Sequence, residues 1–218
     1  MNFLAHLYVS TFDEDFLTGC FVADSVKGRT IDVLPGAARQ GVVIHRLLDA
    51  FTDSHPVFRE ACRLIRPDVG RWSFIVADIL FDHFLATRWG NFSPVGLQEF
   101  ASRCYQAIGQ RVEWIPAKSQ RILPHVVADD WLTNYADTGF LRRVFVGMHR
   151  RTAMRSEMLQ AVDALLKNYQ ELGVLFDAFF PEAVLFVRGQ ILMLNPPPML
   201  NFIHQQPVFT QIQTHHAQ

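Results

Sequence analysis

Between Trp72 and Trp89 the chain is apolar almost all round, yet the run carries Asp78, Asp82 and His83. A helix without a polar face belongs inside a core rather than on its surface. A buried carboxylate without a partner is strongly destabilising, so partners must exist. A divalent cation satisfies several carboxylates and imidazoles at once. Core arginines are the alternative. Imidazole with carboxylate suits Mn, Fe, Zn or Mg better than a thiolate metal.

The rest of the chain supports one helical core. Its 218 residues are 50% hydrophobic and include 19 Phe and 4 Trp, which must be buried, so most of the chain is ordered. Apolar residues at helical spacing predict a helix from Pro35, punctuated by Ser54-His55-Pro56. A short helix is expected over Val57–Ile65, stopped near Pro67. Ser93 is the expected N-cap of an amphipathic helix over Leu97–Ile108. Val112–Ser119 reads as irregular and Ile122–Tyr135 as helical. Further helices are expected over Thr138–Arg151 and Ser156–Phe180, with Pro181 parting the latter from Glu182–Leu194. There is no β-alternation and no internal repeat. The fold class is all-α, a single-domain helical bundle. A helical domain over residues 1–188 is followed by a Pro/Gln-rich extension over 189–218, expected to be extended or loosely packed.

Composition excludes several function classes. Net charge is −1, so no global field draws the chain to nucleic acid, and no recognition motif is present. The most membrane-like run, Ala183 to Leu200, contains Arg188, Asn195 and three prolines, which argues against a membrane span. Cys20, Cys62 and Cys104 form no CxxC pair, which fits a reducing cytoplasm.

Two further places carry ionisable groups in apolar surroundings. His45, Asp49 and Asp53 follow i, i+4, i+8 and share one helical stripe. Asp24 lies in Phe21-Val22-Ala23-Asp24-Ser25-Val26-Lys27-Gly28, and His6 lies alone in the apolar N-terminal segment. Asp49 or Asp53 pairing with Arg46, Asp24 capping a turn, and His6 as a hydrogen-bonded core histidine are the plainer readings of each residue taken singly.

Met1-Asn2-Phe3-Leu4-Ala5-His6-Leu7, Ala23-Asp24-Ser25-Val26-Lys27-Gly28, His45-Arg46-Leu47-Leu48-Asp49-Ala50-Phe51-Thr52-Asp53 and Asp82-His83-Phe84-Leu85 together resemble the bacterial acyl carrier protein phosphodiesterase family. Trp131-Leu132 and Gly147-Met148 fit it too. That family is an atypical, all-helical branch of the HD metal phosphohydrolases, so the resemblance implies an HD-domain-like bundle. It also implies hydrolysis of holo-acyl carrier protein to the apo form and 4′-phosphopantetheine, with a divalent metal. Mn²⁺ is the expected ion, Mg²⁺ or Fe²⁺ the alternatives. On this reading Asp24, His45, Asp82 and His83 are the expected ligands, with His6, Asp49 and Asp78 beside or behind them. Asp24 also enters the expected catalytic set, and Arg46 and Lys27 are candidates for stabilising phosphate charge.

An acidic protein substrate calls for a basic docking patch. Arg142, Arg143, Arg150, Arg151 and Arg155 lie close together with no acid between Phe140 and Ser156. A solvated helix face with C-terminal arginines is the alternative. Two other functions share these features: an HD-type hydrolase of nucleotides or another small phosphoester, and a non-catalytic helical module binding an acidic protein.

Overall fold

The structure, a computed structural model, describes residues 1–10, 13–152 and 156–194. Arg155 and the extension from residue 195 onward lie outside the described residues. The described chain runs through α1 (Phe3–Tyr8), α2 (Glu14–Val22), α3 (Gly36–Ser54), α4 (Pro56–Val69), α5 (Ser73–Thr87) and α6 (Leu97–Gly109). It continues with α7 (Ala117–Ala128), α8 (Trp131–Asn134), α9 (Thr138–Arg151), α10 (Ala161–Lys167) and α11 (Tyr169–Met193). Short 3₁₀ turns join several of them, and no strand occurs among the described residues. This is one all-α domain.

α5 is the buried helix its sequence demands, with Ile79, Leu80, Phe81, Phe84 and Leu85 all at most 2% exposed. Its aromatic rings meet those of α4 and α11: Phe81 packs edge-on to Phe58 and Phe176, and Phe84 stacks on Phe176. Each such side chain contributes about 1.5–3 kcal/mol on burial. α11 lies against α3, α4 and α5, so this aromatic cluster ties the second half of the chain to the first.

α2 and α3 cross at backbone contact. A Cβ on Gly19 would sit 2.1 Å from the Ala38 carbonyl oxygen, and one on Gly41 would sit 2.0 Å from that of Phe16. Only glycine permits this crossing, and it brings the 3₁₀ turn at Ala23–Ser25 alongside α3.

α1 is too short to be helical on its own. Asn2 caps it by accepting from the Phe3 N–H at 2.8 Å. Asp82 of α5 does the same from across the core, accepting from Leu4 N–H at 2.7 Å and Asn2 N–H at 3.2 Å. The Met1 α-ammonium pairs with Asp78 at 2.6 Å. Two carboxylates of α5 therefore hold the helix that carries His6.

Several boundaries differ from the sequence reading. Pro67 and Pro181 lie inside α4 and α11 instead of ending helices. Buried residues on both sides, such as Phe179, Phe180, Ala183 and Val184 around Pro181, hold each helix through its missing N–H. The break comes instead at Asn168, between α10 and α11. Ser93 does not cap α6; its hydroxyl accepts from Val95 N–H in the preceding turn, and Gly96 precedes the helix. Helix replaces the irregular reading from Ala117, and the helix expected over Ile122–Tyr135 is divided at Asp129-Asp130. Asp130 sits at φ 42°, and its carboxylate is anchored by the Tyr105 hydroxyl at 2.9 Å.

Candidate metal centre and substrate cavity

α1 and α3 bring His6, His45 and Asp49 together. One ligand atom from each lies within 4.8 Å of the other two. Their one-turn spacing on α3 puts His45 and Asp49 side by side, with His45 Nε2 3.2 Å from Asp49 Oδ2. The same imidazole nitrogen lies 3.5 Å from Asp24 Oδ1, and His6 Nε2 lies 3.0 Å from Asp49 Oδ1. The two rings stack at 3.6 Å with planes 12° apart. Asp24 is largely exposed, whereas both histidines are buried.

The hydrogen bonds behind the rings define what faces forward. His45 Nδ1–H donates to the Cys20 carbonyl oxygen at 2.8 Å, so Nε2 is the nitrogen turned to Asp24 and Asp49. A neutral Nε2 would point its lone pair at two carboxylates; it needs a proton or a cation there. Without metal the proton wins. Burial opposes it, but the hydrogen bonds to Asp24 and Asp49 prevail and raise the His45 pKa from 6.5 to about 9. His6 goes the other way: burial, then the charge on stacked His45, lower its pKa to about 4. Asp49 resists its own burial because both imidazoles hold it well below the ordinary carboxylate range. His6 Nδ1 is buried without a partner. This donor set fits a divalent ion: two imidazoles, a carboxylate at the edge of both, a second carboxylate at the rim, and one tautomer already fixed.

The cluster opens into a cavity of about 690 Å³. Asp53 and Asp78 add to its acidic side. The same lining includes Arg143 and Arg151 of α9 and Lys118 of α7. Apolar lining comes from Phe3, Ile122, Trp131, Phe140, Val144 and Met148.

The structure gathers His6, Asp24, His45 and Asp49 but does not bring Asp82 and His83 to them. Both Asp82 oxygens are taken by the N–H groups of Asn2 and Leu4, and the residue is fully buried. Burial raises its pKa to about 7. His83 Nδ1–H donates to the Tyr135 carbonyl oxygen at 2.8 Å, and its ring stands edge-on to Tyr169. Neither lines the cavity. The partners that α5 finds for Asp78 and Asp82 are an ammonium and backbone N–H groups, while His83 Nε2 is buried without a hydrogen-bond partner. Lys27 and Arg46 also stand outside the lining; both are exposed, and the Arg46 guanidinium donates to the Val26 carbonyl oxygen at 2.8 Å.

The arginines of α9 divide between two faces. Arg143 and Arg151, two turns apart, face the cavity, and Arg143 also lies over the Phe140 ring at 5.5 Å. Arg142 pairs with Asp163 at 2.7 Å, and Arg150 is exposed. Asp53 was visible in the α3 stripe as the i+8 position without being placed in the site. Lys118 and Ser119 carry no pattern that would have singled them out.

The family model described as acyl carrier protein phosphodiesterase matches residues 1–183. A Yersinia pestis protein named acyl carrier protein phosphodiesterase is 32% identical over 182 residues, covering 83% of this chain and 94% of its own. A Shigella boydii protein of the same name is 34% identical over 185 residues, again covering 83% and 94%. One from Enterobacter sp. is 31% identical over 179 residues, covering 82% and 89%. No solved structure matches the chain. The aligned span contains every helix that builds the cluster and the cavity, and on that extent of similarity the chain belongs to the acyl carrier protein phosphodiesterase family.

Proposed function

We propose that the protein hydrolyses the phosphodiester between a serine of holo-acyl carrier protein and 4′-phosphopantetheine, using a divalent metal held by His6, His45, Asp49 and Asp24. Mn²⁺ is the proposed ion, because two imidazoles with carboxylates suit it and no thiolate is near. The observation that carries this reading is the make-up of the cavity: an imidazole–carboxylate cluster and the cations Arg143, Arg151 and Lys118 line the same space. A phosphodiester bound there is held by charge from both.

When bound, the ion supplies charge neutralisation on the phosphoryl oxygens and an acidified water. The chain does the rest. Asp49 offers one carboxylate oxygen to the Nε2 edge of each stacked ring and so aligns both edges. The Cys20 carbonyl keeps His45 in the tautomer that presents Nε2. Asp24, exposed at the rim, would complete the ligand set on the side open to the substrate. Arg143 and Arg151 line the same cavity, where they receive negative charge from phosphate or from the acidic carrier surface. Asp78 and Asp82 position α1 and with it His6.

The active unit is proposed to span residues 1–188 in a cytoplasmic setting, consistent with three buried free thiols. Among the described residues no helix is long and apolar enough to cross a membrane. The test is a mobility assay on holo-acyl carrier protein with chelator, with added Mn²⁺ and with neither. Conversion to the apo form is expected only where metal is available; conversion in chelator, or none under any condition, would refute the reading.

A further inference from the structure

Gly147 stands in the middle of α9, where glycine weakens a helix relative to alanine. Packing does not account for it. The glycines at the α2–α3 crossing have carbonyl oxygens where a Cβ would go, but a Cβ on Gly147 would meet nothing within 4 Å. Gly147 lines the cavity, one turn from Arg143 on one side and one turn from Arg151 on the other. The missing side chain is therefore missing from the cavity itself. Flanking it on the same wall are Val144 and Met148, with Trp131 and Phe140 nearby in the lining.

We propose that Gly147 keeps open the subsite that receives the pantetheine arm of the substrate. This rests on the phosphodiesterase reading above. The arm is a thin chain in which aliphatic carbons alternate with amides. It needs a slot of mixed character leading away from the phosphorus, not a second charged pocket. The wall around Gly147 has that character: apolar surface between two guanidinium groups. Serine, on the folded carrier protein, must stay at the mouth, so the arm is the part that enters. A side chain at 147 would narrow the slot midway between the two arginines without touching His6, His45 or Asp49.

Gly147→Ala, Gly147→Leu and Gly147→Trp test this by titration calorimetry in the presence of Mn²⁺, with 4′-phosphopantetheine and with inorganic phosphate as ligands. Thermal melting shows which variants are folded; each is expected to melt at or above the wild type, and Leu serves if Trp does not fold. Alanine should leave both ligands bound. Leu and Trp should weaken 4′-phosphopantetheine by roughly tenfold or more while leaving phosphate unchanged, because the chain is displaced and the ion site is not. Unchanged 4′-phosphopantetheine binding in a folded bulky variant would overturn the proposal, as would equal loss of both ligands or no binding of the arm by the wild type. Turnover of holo-acyl carrier protein by the wild type is measured alongside. If it is absent while arm binding depends on residue 147, the substrate reading falls and the subsite stands.

Discussion

Asp82 decides between two accounts of α5, and Asp82→Ala separates them. The carboxylate accepts from two buried backbone N–H groups, at 2.7 and 3.2 Å, at the start of α1. Alanine leaves both donors without a partner and removes a helix cap. Each orphaned donor costs about 1–3 kcal/mol and a lost cap about 1 kcal/mol; the two overlap, giving about 2–4 kcal/mol. For a chain of this size that corresponds to a melting point lower by roughly 5–15 °C. Part of the loss is offset, because burial raises the Asp82 pKa to about 7. With the folded value above the ordinary one of 3.8, the wild type loses stability as pH rises through that window, and the alanine variant lacks this slope. Differential scanning calorimetry from pH 5 to 8, paired with Mn²⁺ titration of the same samples, reads both quantities. The expected variant melts early and still binds Mn²⁺ close to wild-type affinity when folded. A variant of wild-type melting point that has lost Mn²⁺ would refute the capping role and make Asp82 a ligand.

The metal-free cluster has a pH signature. The raised His45 pKa gives stability that is complete below 6.5 and lost as pH rises through about 9, while the lowered His6 pKa makes stability fall as pH drops from 6.5 toward 4. Denaturant midpoints of chelated protein should therefore peak near 6.5 as far as these two groups contribute; a monotonic rise from pH 6 to 9 would contradict the assignment. Asp49→Asn should lower the His45 pKa from about 9 in an NMR titration and reduce turnover by more than the roughly 10–100-fold typical of a supporting residue. An unmoved His45 signal would remove Asp49 from its environment. Arg143→Glu with Arg151→Glu should lower kcat/KM on carrier protein far more than Arg142→Glu with Arg150→Glu, since only the first pair faces the cavity. Equal effects of the two pairs, both abolished by salt at a screening length of about 8–10 Å, would restore a docking patch spread over the whole helix.

What was legible in the sequence was local. Thr138–Arg151 is the helix its pattern gave, and the α3 stripe does project His45 and Asp49 together. The apolar run of α5 did require internal partners for Asp78 and Asp82. Which partners was a tertiary fact: the N–H groups and the ammonium of α1 lie some eighty positions earlier in the chain. A buried acid next to a histidine reads the same whether a cation or a helix terminus satisfies it. The arginines illustrate a different gap. Spacing separates Arg142 from Arg143 by one step, but only the packing of α9 decides that Asp163 meets one and the cavity meets the other. Proline misled at Pro67 and Pro181 because flanking burial outweighs one lost hydrogen bond.

The central claim is that the chemistry sits between α1 and α3, at His6, His45, Asp49 and Asp24, with α5 as its support. Anomalous diffraction from crystals equilibrated with Mn²⁺ tests it most directly. The expected peak lies between the His45 Nε2, the Asp49 carboxylate and the His6 ring, in the cavity that Arg143 and Arg151 also line. A peak beside Asp82 and His83, with the α1–α3 cluster empty, would contradict the account.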